Sequence, residues 1–174
     1  MAVLGTDLVM IQRGGTLYKA PVSELPSGGG GGTFSFCQVR NTDTDTDINV
    51  STAANIPFGG TNDATDADYT LASDSITVNF AGTVNVQAHI SQSSSELRTN
   101  VGIWITKNNT QVSGVGQSGY IRTANQSSSS HITATFTVEQ SDVIRVQGVV
   151  RGRSGDLPVT QLSGESQVTI ERRT

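Results

Sequence analysis

Residues 76–90 read ITVNFAGTVNVQAHI, and apolar and polar side chains alternate in this stretch. Its first half places Ile76, Val78 and Phe80 two residues apart, and its second half repeats the pattern from Val84 to Ile90. Successive side chains of a β-strand point to opposite faces, so a period of two gathers the apolar residues on one side. The stretch therefore predicts strands that bury one face and leave the other in water.

The same period of two recurs along the rest of the chain. It is found at residues 101–105, 132–138, 144–148 and 168–170. Segments rich in Gly, Ser and Asn separate these runs, at residues 59–62, 91–95, 107–109 and 125–130, and are predicted to be turns. Short strands with regular turns and no useful helical periodicity predict an all-β protein, a β-sandwich or jelly roll.

Five consecutive glycines, residues 28–32, divide the sequence. Glycine has the greatest backbone freedom, so such a run holds no fixed conformation by itself. As a flexible coil it spans roughly 12 Å on average. The run lacks the Lys and Ser/Thr of a phosphate-binding loop. The sequence thus predicts an N-terminal arm, residues 1–27, a glycine linker, residues 28–32, and a body, residues 33–174.

The arm has the pattern of a β-hairpin. Residues 7–12 are predicted to be a strand, 13–16 a turn, 17–20 a return strand and 21–25 one helical turn. The apolar residues of the arm include Leu8, Val9, Met10, Ile11, Leu17, Tyr18 and Leu25. Because an isolated two-stranded hairpin is marginal in water, we expect these side chains to bind a partner, either another protein or copies of the same arm.

Charge and hydropathy narrow the classes of partner. The chain has 11 Lys and Arg against 15 Asp and Glu, a net charge of −4, and lacks the clustered cations that nucleic-acid binding requires. No apolar run approaches the roughly 20 residues that cross a bilayer, and the first residues lack the pattern of a signal peptide. We therefore expect no nucleic-acid partner, no membrane and synthesis in the cytoplasm.

Asp43, Asp45 and Asp47 form the pattern that most resembles a metal site. In an extended chain their carboxylates lie on one side, and oxygen ligands suit Ca²⁺. Further aspartates that could add ligands stand at positions 63, 66 and 68. The glycine and bidentate glutamate of the twelve-residue calcium loop are missing. A solvated acidic loop is therefore favoured, and no metal or other cofactor is expected.

His89 and His131 are the only histidines, and each is predicted to lie on the polar face of a strand. One of them could form a catalytic pair with Asp142 or Ser130, but the spacing of these residues in the sequence does not support such a pair. The sequence also lacks a Gly-x-Ser-x-Gly elbow and placed acid–base carboxylates. We expect the protein to have no enzymatic activity.

Three further residues have two interpretations each. Trp104 and Tyr120 are candidate surface anchors, and Trp104 suits a core position as well. Cys37 is the single cysteine, so no intrachain disulfide is possible. Because it lies in an alternating run, it is predicted to be a small buried side chain rather than a nucleophile.

In the order of its segments the body resembles the trimeric jelly-roll family of tumour necrosis factor and the complement globular heads. The segments are 34–36, an opening strand; 55–58, which leads into the next strands; 75–84, an apolar strand with an Ala-Gly corner; 102–109, a strand ending in a Lys-Asn turn; 136–146, a turn before a strand; and 163–170, the last strand. Ser141 stands where the family usually has glycine. The resemblance implies a jelly-roll homotrimer packed around a threefold axis.

Residues 7–20, DLVMIQRGGTLYKA, resemble the N-terminal segment of many tailed-phage virion proteins. Such segments precede fibre, knob or head-decoration domains. Both resemblances together imply a virion structural protein, a capsid decoration or cement protein that binds the major capsid protein through its arm and stabilises the head as a homotrimer. The alternative is a tail-fibre or head-fibre tip, whose arm joins a fibre or baseplate protein and whose loops bind a receptor or glycan. A lectin-like module outside the virion is a third hypothesis.

Overall fold

The computed structural model describes residues 8–13, 16–21, 35–40, 47–48, 52–58, 61–95, 98–152, 159–162 and 164–173. Every regular element among these residues is a β-strand, and none of them forms a helix that could span a membrane. The all-β prediction is confirmed. The chain divides into two compact units, Met1–Thr33 and Phe34–Thr174. The predicted glycine linker lies outside the described residues.

The first unit contains an antiparallel hairpin of β1 (Leu8–Arg13) and β2 (Thr16–Pro21). Its register pairs Leu8 with Pro21 at the open end and Arg13 with Thr16 at the closed end. β1 therefore extends one residue into the predicted turn, and β2 is one residue longer than predicted at each end. Pro21 belongs to β2 instead of a helical turn, because a proline without an N–H is tolerated at the end of an edge strand.

The second unit contains the remaining strands of the described chain. They are β3 (Phe36–Arg40), β4 (Ala54–Asn55), β5 (Thr61–Thr65), β6 (Tyr69–Ala72), β7 (Ser75–Val78), β8 (Gly82–Ser94), β9 (Asn100–Lys107), β10 (Thr110–Gln111), β11 (Gly116–Gln117), β12 (Gln126–Val138), β13 (Val143–Gly152), β14 (Val159–Gln161) and β15 (Gln167–Arg173).

These strands form two antiparallel sheets packed as a sandwich. In the seven-stranded sheet β10, β9, β13, β7 and β6 lie side by side, while β11 also pairs with β9 and β4 with β13. In the six-stranded sheet the order is β12, β8, β15, β3 and β5, and β14 also pairs with β8. Strands distant in sequence are thus neighbours in both sheets, as in a jelly roll.

The core lies between the two sheets and is mostly aliphatic, with Phe58, Tyr69 and Phe80 as its buried aromatic residues. From β8 it receives Val84, Val86, Ala88 and Ile90, which are at most 1% exposed. Residues of β9, β13 and β15 meet them from both sheets in one cluster. Cys37 is fully buried in the same cluster, as predicted. The alternation of apolar and polar residues that predicted the strands therefore also predicted which side chains face the core.

Two serine-rich segments that were predicted to be turns are strands. Residues 91–94 continue β8 and residues 126–130 begin β12, so that each strand is 13 residues long. The segments pair with each other, Ser91 with Ser129 and Ser93 with Ser127, which satisfies their backbone groups. Thr61 and Asn62, also predicted to lie in a turn, belong to β5.

Several residues in the turns between strands have a left-handed backbone conformation, with positive φ. Asn108 and Asn109 have φ of 50° and 65° and join β9 to β10, as expected for a type I′ hairpin turn. Before β13, Ser141 has φ of 74°, the conformation that glycine adopts most easily. The serine noted at this position in the sequence therefore occupies a backbone conformation suited to glycine.

Candidate functional site

The six-stranded sheet turns one face away from the core, and we call it the outer face. Its residues are Ser127, Ser129, His131, Thr133, Thr135 and Thr137 of β12; Thr83, Asn85, Gln87, His89, Ser91 and Ser93 of β8; Gln167, Thr169, Glu171 and Arg173 of β15; and Phe36, Gln38 and Arg40 of β3. In each strand their neighbours in sequence point to the core, so alternation alone assigns them to this face.

The strand register arranges these residues in rows across the sheet. One row joins His131, His89, Gln167 and Arg40; the next joins Thr133, Gln87, Thr169 and Gln38; a third joins Thr135, Asn85, Glu171 and Phe36. The Thr135 hydroxyl donates to the Asn85 amide oxygen across 3.1 Å. Most positions carry neutral side chains that both donate and accept hydrogen bonds. The outer face can therefore contact another protein through polar side chains without strong charge repulsion.

His89 and His131 lie directly opposite each other on β8 and β12. Their Nδ1 atoms are 3.3 Å apart, and their ring centroids are 5.3 Å apart at an interplanar angle of 62°. His131 is exposed and His89 is half-buried. Sequence reasoning placed each histidine on a polar strand face but did not place them together, because their contact depends on the register of strands 42 residues apart.

Electrostatics around the pair favour the neutral imidazole at His89. Burial lowers the pKa of His89 below its usual value, and the neighbouring His131 lowers the pKa further. The Glu165 carboxylate, in the turn before β15, acts in the opposite direction. A neutral imidazole is the form that accepts a hydrogen bond or binds a metal ion.

The catalytic partners considered for the histidines are engaged elsewhere. Ser130 Oγ donates to the Val101 carbonyl across 2.8 Å on the core side of β12. Asp142 Oδ2 accepts from the Glu139 N–H at 2.8 Å, and Oδ1 accepts from an Asn108 amide at 2.6 Å. Both side chains thus have structural roles in turns and strand contacts.

The predicted acidic loop is described only in part. Asp43 and Asp45 lie outside the described residues. Asp47 is exposed, its Oδ1 accepts from the Val159 N–H at 3.1 Å, and its backbone forms a bridge with Thr160. Among the residues that the structure describes, no group of three or more His, Cys, Asp or Glu side chains is placed to hold a metal ion.

Of the later aspartates named with that loop, Asp66 and Asp68 have structural partners, and the side chain of Asp63 lies outside the described part of the structure. Asp66 Oδ2 accepts from the Phe36 N–H at 2.8 Å, and Asp68 forms an ion pair with Arg172 at 3.1 Å. The Arg172 guanidinium in turn lies 4.2 Å from the centre of the Phe80 ring. These carboxylates therefore fasten strand ends to each other.

The partner-binding residues predicted in the arm fall in the hairpin, with one exception. Leu8, Val9, Met10 and Ile11 belong to β1, and Leu17 and Tyr18 belong to β2. Leu25 lies outside the described residues. Their partner-binding role stays a prediction.

Trp104 lies on the side of the seven-stranded sheet that faces away from the core, where it is half-buried. Its Nε1–H donates to Gln147 Oε1 at 3.2 Å, and the Gln147 amide donates to Asn55 Oδ1 at 3.1 Å. The Asn55 amide continues to Asp74 at 2.7 Å. Trp104 thus belongs to a chain of side-chain hydrogen bonds across the sheet, which makes it less available as an anchor.

Tyr120 and Val115 are the exposed large hydrophobic residues of the described chain, at 59% and 38% exposure. Both lie in the segment between β10 and β12. The Tyr120 ring covers Gly152, where an added methyl group would come within 3.0 Å of the ring. Tyr120 is therefore the aromatic side chain best placed to contact a partner from this segment.

Comparison with solved structures identifies the architecture of the body. Crystal structures of murine APRIL, of the tumour necrosis factor family, superpose on it. The structure at pH 8.0 has a TM-score of 0.56 at 9% identity, covering 80% of this chain and 99% of that chain. The structures at pH 5.0 and pH 8.5 give TM-scores of 0.55 and 0.52 at 10% and 14% identity, with the same coverage.

At these identities the likeness shows the fold alone. The body has the jelly-roll β-sandwich of the tumour necrosis factor family, as its ordered segments predicted. No family model matches the sequence, and the comparison with curated proteins gave no match.

Proposed function

We propose that this protein is a capsid decoration protein of a tailed phage, a cement that binds the major capsid protein through its arm and associates as a homotrimer through its body. The observation that supports the proposal most directly is the division of the chain into a hairpin unit and a jelly-roll unit. In this proposal the hairpin unit binds the capsid and the jelly-roll unit binds other copies of itself.

The arm supplies the energy of attachment in this proposal. The arm carries the seven apolar residues predicted to bind a partner, and an isolated hairpin of two strands is marginal in water. At about 25 cal/mol per Å² removed from water, burial of about 300 Å² per arm contributes on the order of 7 kcal/mol. Three arms on one trimer bind multivalently, so that modest contacts give strong attachment.

The outer face supplies the contact between copies of the body. The solved structures of similar fold belong to a family of jelly-roll trimers. In the present chain the outer face consists mostly of threonine, glutamine, asparagine and serine, which form hydrogen bonds across an interface without a large cost for removing charge from water. Its central row, with Thr133 and Gln87, is the position at which we expect copies to meet.

A non-catalytic role accompanies the proposal. The histidine pair lies on an open sheet face and has neither a nucleophile nor an ionised acid in a hydrogen bond with it among the described residues. A structural protein needs no such group, and its function rests on affinity and symmetry instead.

Capsid binding by the complete chain and by a variant that lacks residues 1–27 tests the assignment of the arm. Co-sedimentation with capsids stripped of decoration is expected to recover the complete chain and to lose the variant. Light scattering of the same variant is expected to report a trimer. Capsid binding that persists without the arm would contradict the assignment.

A variant on the outer face and a matched control on the other sheet test the trimer contact. Thr133 and Thr110 are both exposed threonines in strands, but only Thr133 lies on the outer face. Thr133→Arg is expected to reduce the molar mass to that of one chain, because three like charges would meet at the interface. Thr110→Arg is expected to leave the molar mass unchanged. A complete chain that is monomeric at micromolar concentration would contradict the trimer.

The exposed Tyr120 favours a second candidate function, a fibre tip that binds a receptor or glycan through the segment between β10 and β12. Copy number per virion separates the two functions, because a decoration protein is present in hundreds of copies and a tip in few. A glycan array with the complete chain and with Tyr120→Ala tests binding directly. Binding that depends on Tyr120 would favour the tip.

A further inference from the structure

We propose that His89 and His131 form a binding site for one divalent transition-metal ion, with zinc as the reference ligand. The site lies within a single chain, so it does not depend on the proposed capsid or trimer function. It also differs in chemistry from the calcium site considered for the aspartates.

The distance between the two ring nitrogens is the first observation. His89 Nδ1 and His131 Nδ1 are 3.3 Å apart. Zinc binds imidazole nitrogen at about 2.0–2.1 Å in tetrahedral geometry, which places two such ligands about 3.3–3.4 Å from each other. One zinc ion therefore fits between the two nitrogens without a change in their separation.

The ring orientation is the second observation. The two rings are inclined at 62° with centroids 5.3 Å apart, so they are not stacked face to face. In-plane lone pairs of inclined rings can converge on one point, whereas those of parallel stacked rings run side by side. Both histidines also lie on paired strands of a sheet, which holds their backbones in fixed register.

The electrostatic surroundings tolerate a cation. The Glu165 carboxylate acts electrostatically on His89 and favours a positive charge there. Gln167 stands between His89 and Arg40 in the same row, so a neutral side chain separates the cationic Arg40 from the pair. Because His131 is exposed in the single chain, the remaining coordination positions are open there to water or to a carboxylate.

The donor set selects the class of metal. Two imidazoles suit zinc, nickel, copper and cobalt, whereas calcium and magnesium require oxygen ligands. We therefore expect zinc to bind in a 1:1 ratio with the chain and calcium not to bind at these residues.

Isothermal titration calorimetry of the complete chain, without a polyhistidine tag, tests the site. Zinc chloride is the probe, and calcium chloride is the comparison. Loss of a group that only supports a metal ligand already weakens binding roughly 10–100-fold. His131→Thr and His89→Gln are each expected to weaken zinc binding at least as much. Thr110→Ala, in the seven-stranded sheet, is expected to leave zinc binding unchanged.

A variant in which the histidine pair is moved to the next row of the outer face, called the transposed variant, tests whether the geometry of the pair is sufficient for zinc binding. Gln87 and Thr133 are opposite each other two residues along both strands, so they repeat the geometry of the histidine pair. Gln87→His with Thr133→His, added to His89→Gln and His131→Thr, is expected to restore zinc binding. Melting curves show that each variant is folded.

Three results would overturn the proposal. They are no saturable zinc binding by the complete chain, undiminished binding by folded His131→Thr or His89→Gln, and no binding by a folded transposed variant whose molar mass equals that of the natural chain. Light scattering gives the molar mass of each variant, so a loss of zinc binding is distinguished from a change in the proposed contact between copies.

Discussion

Gln92 and Gln161 lie directly opposite each other on β8 and β14, and both side chains are fully buried. None of the four side-chain nitrogen and oxygen atoms has a hydrogen-bond partner among the residues that the structure describes. Buried amide groups without partners are costly, since each loses its hydrogen bonds to water. The sandwich therefore contains a polar pair at a position where an aliphatic pair would pack as well.

Replacement of this pair with methionine is expected to stabilise the body. Methionine has a similar length and no polar atoms to satisfy, so Gln92→Met with Gln161→Met should add about 1–3 kcal/mol to the free energy of unfolding. Urea unfolding measures the gain. The control Gln87→Met changes an exposed glutamine of the same strand and should stay within about 0.5 kcal/mol. A double variant less stable than the natural chain would show that the amides have partners such as internal water.

Ser141 is expected to gain from substitution with glycine. Its φ of 74° costs a residue with a Cβ about 1–2 kcal/mol, and the extra freedom of an unfolded glycine returns about half of that. Ser141→Gly should therefore raise the free energy of unfolding by about 0.5–1 kcal/mol. The substitution leaves intact the hydrogen bond that the backbone N–H of residue 141 donates to the Val78 carbonyl, with 2.7 Å between nitrogen and oxygen.

Gly164 provides the reverse substitution for comparison. Its φ is +73°, and no atom lies within 4 Å of an added Cβ, so Gly164→Ser tests backbone strain alone. We expect a loss of about 0.5–1 kcal/mol in thermal unfolding. If Ser141→Gly and Gly164→Ser shift stability in the same direction, conformational strain does not explain either effect.

Gly116 is expected to tolerate no side chain. A Cβ at this position would lie 1.9 Å from the His131 carbonyl oxygen, and backbone atoms cannot move aside cheaply. Gly116→Ala should cost about 3 kcal/mol or prevent folding, because β11 and β12 would have to separate. Gly114→Ala, where no atom lies within 4 Å, should change stability by less than about 0.5 kcal/mol. Equal melting temperatures for the two variants would contradict this close approach.

The strands and the core could be predicted from the sequence because alternation is a local signal. Val84, Val86 and Ile90 point to the core as the period of two requires. The serine-rich segments were mistaken for turns because serine is common in turns, and their pairing partners lie about 40 residues away. Local composition carries no information on a partner at that distance.

For the histidine pair too, local sequence predicted the strand faces but not the contact between distant residues. The polar faces of β8 and β12 were predicted, and with them the exposure of His131. Their meeting depends on the register that sets His89 opposite His131, and a shift of one residue would turn one of them into the core. The outer face as a surface could therefore be predicted, and the contacts within it could not.

Asp142 is expected to make the stability of the protein depend on pH. Burial alone would raise the pKa of this carboxyl group, but the Glu139 N–H, the Asn108 amide and the Lys107 ammonium together outweigh burial and hold the pKa below its usual value of 3.8. The Lys107 Nζ lies 3.4 Å from Oδ2. Because the unfolded chain binds this proton more readily than the folded one, the carboxylate stabilises the fold above the unfolded pKa.

Asp142→Asn removes the charge and one acceptor oxygen, and should cost about 2 kcal/mol near pH 7. The difference from the natural chain should shrink as the pH falls below 3.8 and vanish below the lowered pKa, where the natural side chain is neutral too. Urea unfolding at a series of pH values measures it. Glu139→Gln removes a charge from the same turn but keeps the backbone N–H that donates to Asp142, so its effect should be small. A cost of Asp142→Asn that is constant from pH 7 to pH 2 would mean that the amide disturbs packing, and that the charge of Asp142 does not stabilise the turn before β13.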